Sequence, residues 1–256
     1  MSEGRTALPS SITVDETGLS GPPEAFGHII ADLHQRAPRE LYAEYLRDPA
    51  IRAAARPTVQ RGAADALHQP AERRLAILVA DLEGYSRICE TTRPEQLWDI
   101  MSDWWRDVAD AVYGQLGWLN KVDGDGVMAV FGLHARMADP ATHAAACALD
   151  VTAGFEAFAA GVESFGRNGV GIRLGVETGD VVAGVTVLGP QPVYHVVGHA
   201  VSFAYQLEAA ATENSALVGP QTHELTRDEY EYADAGAVQV KGTDVSANIY
   251  RLLRRR

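Results

Sequence analysis

The sequence is short of cysteine and has no zinc-like histidine spacing, and these two shortages exclude two kinds of scaffold. Only Cys89 and Cys147 occur in 256 residues, which is too few for a disulfide framework and fits no metal motif. The eight histidines are scattered without the spacing of a zinc site. We therefore expect two reduced thiols and no structural zinc.

Positive charge and long apolar runs are also scarce. Lysine and arginine number 22 against 34 acidic residues, and the net charge of −12 argues against binding to nucleic acid or to an anionic membrane. No apolar run in the sequence reaches the length needed to span a bilayer, and the first residues lack the pattern of a signal peptide. The sequence therefore predicts a cytoplasmic protein with no membrane insertion.

Composition and periodicity divide the chain into three parts. Residues 1–23 are rich in Ser, Gly, Pro and Thr, which predicts a disordered leader. Residues 24–70 carry apolar residues at helical spacing and predict a helical extension. This extension either packs on the next domain, pairs across a dimer, or is a solvated appendage. Residues 71–256 interleave strand and helix patterns with at least one hairpin, which predicts an α+β domain with a mixed sheet.

The most informative stretch is Leu119–Gly132, LNKVDGDGVMAVFG. Its Asp-Gly pairs between strand-like runs predict a hairpin with a charged tip. Upstream, Leu75–Asp81 is a continuous apolar run that ends on an aspartate, which predicts a central strand. Asp81 and Asp125 thus each lie near a glycine at the end of a strand. We interpret them as a carboxylate pair for a hard divalent cation.

The other predicted elements follow from periodicity and turn residues. They are helices over Pro94–Leu116, Pro140–Phe158 and Val201–Ala211, a helical turn over Pro220–Leu225, and strands over Val170–Thr178, Val181–Leu188, Leu217–Val218, Ala237–Lys241 and Asn248–Leu252. Trp104 and Trp105 fall on the apolar stripe of the first helix, and we interpret them as core residues.

Several segments resemble, in order, the catalytic domain of the class III nucleotidyl (adenylate/guanylate) cyclases. They are LVADLEGYS (78–86), NKVDGDGVMAVFG (120–132), VGIRLGVETGDVVAGVTVLG (170–189), YHVVGHAVSFAYQLE (194–208), VQVKG (238–242) and IYRL (249–252). The resemblance covers roughly residues 75–253. It implies a mixed, mainly antiparallel sheet flanked by helices, with a ferredoxin-like core.

The resemblance also implies a reaction and a metal site. A cyclase of this family converts a nucleoside triphosphate to a 3′,5′-cyclic nucleotide and pyrophosphate at a homodimer interface, with two Mg²⁺ or Mn²⁺ ions. By position, Asp81, Asp125 and the backbone of Leu82 are the metal ligands. The backbone after the first aspartate would contact the triphosphate: Glu83, Gly84, Tyr85 and Ser86.

The half of the site that the partner subunit supplies departs from the family pattern. Lys121 occupies the position of the base-reading lysine, but His195 stands where the family has an aspartate or threonine. In the helix after Gly198, Ser202 and Gln206 replace the ribose-binding asparagine and the arginine that stabilises the transition state. Serine retains a hydrogen-bonding group with shorter reach, whereas glutamine cannot supply positive charge.

Three functional hypotheses remain open on this sequence. The protein is a cyclase with slow or altered chemistry in which another cation replaces the arginine. Alternatively it is a cyclase for another base, including a pyrimidine, as in antiphage signalling cyclases. The third possibility is a degenerate homologue that binds a nucleotide or only a partner protein. Asp81 and Asp125 favour the first two, and Ser202 and Gln206 favour the third; we expect a nucleotidyl cyclase.

Overall fold

A computed structural model describes residues 13–15, 18–20, 70–133, 137, 139–162, 170–188 and 191–256. The strands are β1 (Thr13–Asp15), β2 (Gly18–Ser20), β3 (Ala71–Glu83), β4 (Trp118–Asp123), β5 (Gly126–Phe131), β6 (Gly171–Leu188), β7 (Gln191–Val197), β8 (Ser215–Val218), β9 (Tyr230–Gln239) and β10 (Ser246–Arg255). The helices are α1 (Tyr85–Thr91), α2 (Pro94–Gly114), α3 (Pro140–Gly161), α4 (His199–Ala210) and α5 (Pro220–Thr226).

One mixed sheet organises the described part of the chain. Its strand order is β4-β5-β3-β6-β8-β10-β9, and β7 pairs with β6 beside this path. The β6–β8 pairing is parallel and the other pairings of this sheet are antiparallel. The predicted fold class, a mixed and mainly antiparallel sheet flanked by helices, is therefore confirmed.

The central strand β3 is buried on both faces, which explains its uninterrupted apolar run. Leu75, Ile77 and Val79 belong to a cluster that includes Ala200 and Ala204 of α4. On the opposite face, the even-numbered residues of the strand join a cluster with α2 and α3. Alternation is absent because neither face meets water.

The structure joins two predicted strands into one. The sequence predicted separate strands over Val170–Thr178 and Val181–Leu188, but Gly171–Leu188 is one strand. Gly179 and Asp180 do not turn the chain, because they pair with Leu75 and Arg74 of β3. The remainder of β6 then pairs with β7, a strand that the sequence analysis did not predict. The short helix α1 was not predicted either.

The N-terminal segments are described only in part. Within the predicted disordered leader, residues 13–15 pair antiparallel with residues 18–20, and Val14 lies opposite Leu19. Those six residues are therefore paired where the sequence predicted disorder. The predicted helices over residues 24–69 lie outside the described residues.

The sequence analysis expected no apolar run long enough to span a bilayer, but helix α3 comes close to that description. Its 22 residues have the length and the mean hydropathy of a candidate membrane span. Its buried residues, however, join the core cluster beneath the sheet: Ala144, Ala145, Cys147, Ala148, Val151 and Phe155. The same helix carries Asp150 and Glu156. The apolar composition of α3 is thus explained by its packing on the sheet.

Gly175 permits the close approach of α4 to β6, and its replacement should destabilise the fold. A Cβ at this position would collide with the backbone at Ala204 and Glu208. We expect Gly175→Ala to lower the free energy of unfolding by about 3 kcal/mol, since backbone cannot yield as a side chain does. Chemical denaturation measures the loss. Gly154→Ala on α3 has open space and should gain about 0.5–1 kcal/mol; equal losses would contradict this account.

Candidate functional site

The structure brings Asp81 and Asp125 together, as predicted. Asp81 lies near the end of β3, and Asp125 lies in the turn between β4 and β5. Because Ala80 pairs with Val127, the register places this turn beside Asp81. The backbone N–H of Leu82 donates a hydrogen bond to the Asp125 carboxylate, and burial together with the negative charge of Asp81 raises the pKa of Asp125 to about 7.

A raised pKa at this position is the expected signature of two carboxyl groups held close without a cation. Among the described residues, no group of three or more histidine, cysteine or acidic side chains is arranged to hold a metal ion. Mg²⁺ is commonly bound by one or two carboxylates together with the phosphates of a substrate. Asp81 and Asp125 therefore fit a divalent ion that arrives with a phosphate-bearing ligand.

Arg173 is a site residue that the sequence analysis missed. It lies directly opposite Asp81 in the β3–β6 register, and its Nη2 is 3.0 Å from Oδ2 of Asp81 and 3.1 Å from Oε1 of Glu208. The guanidinium thus joins β3, through Asp81, to α4, through Glu208. The signal that could have revealed it is an arginine between Ile172 and Leu174, two buried residues of an apolar strand. A half-buried cation needs an anionic partner.

Asp81 opens into a cavity of about 260 Å³. Its lining also includes Lys121 and Gly126 from the hairpin, and Tyr205 and Glu208 from α4. Burial raises the pKa of Glu208, while the guanidinium of Arg173 opposes this shift. The cavity is therefore lined by groups of both charges.

Lys121 and His195 both lie at the surface, on β4 and β7. The Lys121 ammonium is 2.9 Å from Oδ2 of Asp123, and this hydrogen bond raises the pKa of the lysine. The side chain of Asn120 donates to the backbone oxygen of Tyr194 at 3.2 Å, which ties the strand of Lys121 to that of His195. The residues that precede the two positions assigned to the base are thus in contact.

Ser202 and Gln206 share α4 but do not reach the carboxylates. Ser202 is exposed. The Gln206 amide donates to the backbone oxygen of Gln239 and accepts from the backbone N–H of Lys241 at 3.0 Å. These two bonds fix Gln206 on the β9–β10 hairpin, where it lines a second and larger cavity with residues 239–244. Neither Asp81 nor Asp125 lines that cavity.

The predicted phosphate segment forms the bend from β3 into α1. Gly84 has a positive φ of 86° and caps the helix, and its oxygen accepts from the N–H of Arg87 at 3.0 Å. The first amides of a helix have no intrahelical partner. Glu83, Tyr85 and Ser86 lie on either side of this glycine, and the whole segment directly follows Asp81.

Comparison with known proteins agrees with this geometry. The sequence profile of the Adenylate and Guanylate cyclase catalytic domain matches residues 67–253. The chain belongs to this family. An adenylate cyclase of Mycobacterium tuberculosis is 29% identical over 228 residues, which are 86% of this chain and 49% of that protein. The chain thus spans about half the length of this curated relative.

Solved cyclase structures share the fold. The adenylyl cyclase CyaB from P. aeruginosa superposes with a TM-score of 0.68 at 22% identity, covering 73% of this chain and 97% of that one. The guanylyl cyclase Cya2 superposes with a TM-score of 0.67 at 25% identity, covering 72% and 93%.

Outside the site, the cyclase domain buries a further carboxyl group with a raised pKa, that of Glu177. Glu177 is 7% exposed, and its carboxylate accepts hydrogen bonds from the backbone N–H and the hydroxyl of Thr222 at 3.4 and 3.3 Å. Burial raises its pKa to about 7, against the opposing effect of these bonds. The folded state therefore holds this proton more tightly than the unfolded state does.

This shift gives a pH-dependent stability with a defined sign. Stability from Glu177 is present below pH 4.5 and is lost as the pH rises to about 7, because the folded carboxyl must then ionise. Glu177→Gln removes that cost and should raise the free energy of unfolding by about 2 kcal/mol at pH 8 and by little at pH 5. Denaturant titrations at both values measure it. Glu224→Gln, on an exposed ion pair of α5, is the control; the same pH dependence in both variants would refute the assignment.

Proposed function

We propose that this domain is a nucleotidyl cyclase that converts a nucleoside triphosphate to a 3′,5′-cyclic nucleotide and pyrophosphate. The observation that carries the proposal is the pairing of Asp81 with Asp125, with Arg173 at 3.0 Å from the first of them. Two adjacent carboxylates with a guanidinium beside them suit a polyanionic substrate whose phosphates arrive with metal.

The residues of one protomer take distinct roles in this reaction. Asp81, Asp125 and the backbone of Leu82 would hold two Mg²⁺ or Mn²⁺ ions. Such ions, when bound, favour attack of the ribose 3′-oxygen on the α-phosphorus and departure of pyrophosphate. Arg173 supplies positive charge beside the aspartates and would donate to a phosphate oxygen of the bound substrate. The backbone over residues 83–86 would contact the phosphates at the start of α1.

A second copy of the chain would complete the site. His195 and Ser202 are exposed, and the cavity of Gln206 does not include the aspartates, although Lys121 shares the smaller cavity with Asp81. Two halves that do not converge on one protomer can meet across a two-fold axis, which produces two equivalent sites. The opposed and exposed side chains of Val182 and Val197 offer apolar area for such a contact.

The residues of the candidate site restrict the identity of the base less than that of the rest of the substrate. The Lys121 ammonium and the Asp123 carboxylate form a donor and acceptor pair, and His195 contributes either role according to its tautomer. Such a set can meet the edge of a purine or of a pyrimidine. The similar proteins are named as adenylate and as guanylyl cyclases, so both purines are tested together with UTP and CTP.

One observation favours a second candidate, a degenerate homologue that binds a nucleotide or a partner protein. Gln206 cannot replace the charge of an arginine, and its amide is already engaged with the β9–β10 hairpin. The cavity there, however, also holds Lys241. We propose that Lys241 supplies the cation in place of the arginine, which keeps the enzymatic function as the first candidate.

The deciding experiment is a direct assay. Purified protein is mixed with Mn²⁺ and each of the four ribonucleoside triphosphates, and cyclic products are separated by chromatography. We expect one triphosphate to be cyclised, and light scattering at tens of micromolar to give the mass of a dimer. Binding of a triphosphate without any cyclic product would support the degenerate homologue. A monomer that turns over substrate would contradict the shared site.

We also propose that residues 24–70 serve assembly or regulation. They precede the first catalytic strand and carry no metal or phosphate motif. Deletion of residues 1–69 keeps Pro70, which packs against Gly184, and should leave triphosphate binding within about threefold of the full chain, as for a change remote from the site. Calorimetric titration measures the binding. A truncated chain that folds and binds no triphosphate would contradict this division of roles.

A further inference from the structure

The turn that carries Asp125 is fastened to helix α2 by two adjacent indoles. Nε1 of Trp104 donates to the backbone oxygen of Asp125 at 2.9 Å, and Nε1 of Trp105 donates to the backbone oxygen of Gly124 at 2.9 Å. Gly124 has a positive φ of 62°. The two central residues of the turn are thus each held through their carbonyl groups. The sequence analysis interpreted both tryptophans only as core residues.

The donors themselves are held by ring packing. Trp104 is 1% exposed, and its ring lies 6.2 Å from that of Phe155 in an edge-to-face arrangement and 6.0 Å from that of Phe158. Trp105 is half-buried, and its ring meets that of Trp98 edge to face at 5.8 Å. Aromatic contacts of this kind fix ring orientation. The helix therefore presents two N–H groups at set positions.

The turn needs an external anchor because its own chemistry opposes the observed geometry. The Asp125 carboxyl faces that of Asp81, so the ionised groups repel each other. The turn is only two residues long and contains a glycine, which leaves its backbone free to swing outward. The N–H of Leu82 holds the carboxylate from one side. The two indoles hold the backbone from the other side.

We infer that Trp104 and Trp105 are positioning residues that keep the Asp125 carboxyl opposite Asp81 in readiness for a divalent ion. This inference rests on the metal-dependent function proposed above. Neither indole touches the ion or the substrate; each acts through the backbone of the turn. The indole N–H group is the necessary feature, and a phenylalanine ring would preserve the packing without the hydrogen bond.

The test compares Trp105→Phe with Asp103→Asn in the full chain. Asp103 lies on the same helix, is exposed and pairs with Arg106, so it serves as the control. Mn²⁺ alone is titrated in, and free Mn²⁺ is followed by electron paramagnetic resonance. We expect Trp105→Phe to weaken Mn²⁺ binding about tenfold, the size of effect that one lost hydrogen bond produces, and Asp103→Asn to leave binding unchanged.

Two further measurements separate positioning from folding. Hydrogen exchange at the amides of residues 123–126 in the metal-free protein should become faster in Trp105→Phe, while thermal unfolding stays within a few degrees of the unchanged protein. Trp104→Phe should show the same loss of Mn²⁺ binding, with a lower melting temperature because this ring is in the core. A merely structural role would lower the melting temperature and leave the affinity of the folded fraction unchanged.

The outcomes distinguish this inference from the function on which it rests. If the unchanged protein binds Mn²⁺ and Trp105→Phe binds it equally well, with the same exchange in the turn, the positioning role is wrong and the proposed cyclase function stands. If the unchanged protein binds no Mn²⁺ at any pH between 6 and 9, either alone or together with a triphosphate, the metal site is wrong and both proposals fall together.

Discussion

Asp125→Asn should reduce Mn²⁺-dependent cyclisation by at least about 10³-fold. The change removes one of the two carboxylates that would hold the ions, and metal stabilisation of the developing charge is worth several kcal/mol in such reactions. The amide still accepts a hydrogen bond from Leu82, so the turn should remain in place. Initial rates at saturating Mn²⁺ and triphosphate measure the loss.

The same substitution should lower activity but raise the stability of the metal-free protein at pH 8. The folded pKa of Asp125, about 7, lies above the usual value of 3.8. Its stabilising contribution is therefore lost as the pH rises through about 7. The metal-free Asp125→Asn protein should melt at a higher temperature than the unchanged protein at pH 8, and at a similar temperature at pH 4.

Asp103→Asn provides the control for both effects. Asp103 is an exposed aspartate of α2 paired with Arg106, and its replacement should change neither the rate nor the pH dependence of melting. Full activity of Asp125→Asn would show that the carboxylate pair is not the metal site. Loss of activity together with a lower melting temperature would show that Asp125 serves the fold.

The double substitution Ser202→Asn with Gln206→Arg should raise kcat/KM with ATP or GTP by about 30- to 10³-fold. It restores the ribose-binding amide and the phosphate-binding cation that the family resemblance implies at these positions. One donor aimed at developing charge is worth about 2–4 kcal/mol. Steady-state kinetics with all four triphosphates measure the change.

The present contacts of Gln206 indicate what this substitution disturbs. An arginine can still donate to the backbone oxygen of Gln239, but the N–H of Lys241 would lose its acceptor. Lys241 is exposed, so water can replace that bond at little cost. Gln206→Met removes both bonds without adding charge, and is the control for disturbance of the hairpin.

The direction of the kinetic change decides between two explanations for Ser202 and Gln206. A gain with ATP or GTP would mean that the site is depleted but otherwise intact. If the unchanged protein is already fast with UTP or CTP and the double variant is slower, Ser202 and Gln206 are adaptations to another substrate. No turnover and no triphosphate binding in either protein would leave a cyclase fold with another role.

The half of the candidate site that holds Asp81 and Asp125 could be predicted from sequence because local patterns specify it. The apolar run 75–80 is long enough to require a strand buried on both faces, and it ends at Asp81. The glycines around Asp125 require a tight hairpin. Each pattern extends over fewer than about a dozen residues, and both the strand and the hairpin follow from chain chemistry at that range.

Only the tertiary structure decided which distant residues join that half. Arg173 is 92 positions from Asp81 and meets it through the β3–β6 register, which also makes 171–188 one strand where the sequence indicated two. The indoles of Trp104 and Trp105 reach the turn because ring packing fixes their direction. Gln206 of α4 bonds to the β9–β10 hairpin at Gln239, 33 residues further along the chain. Register and side-chain direction depend on the whole packed sheet, so no local pattern carries them.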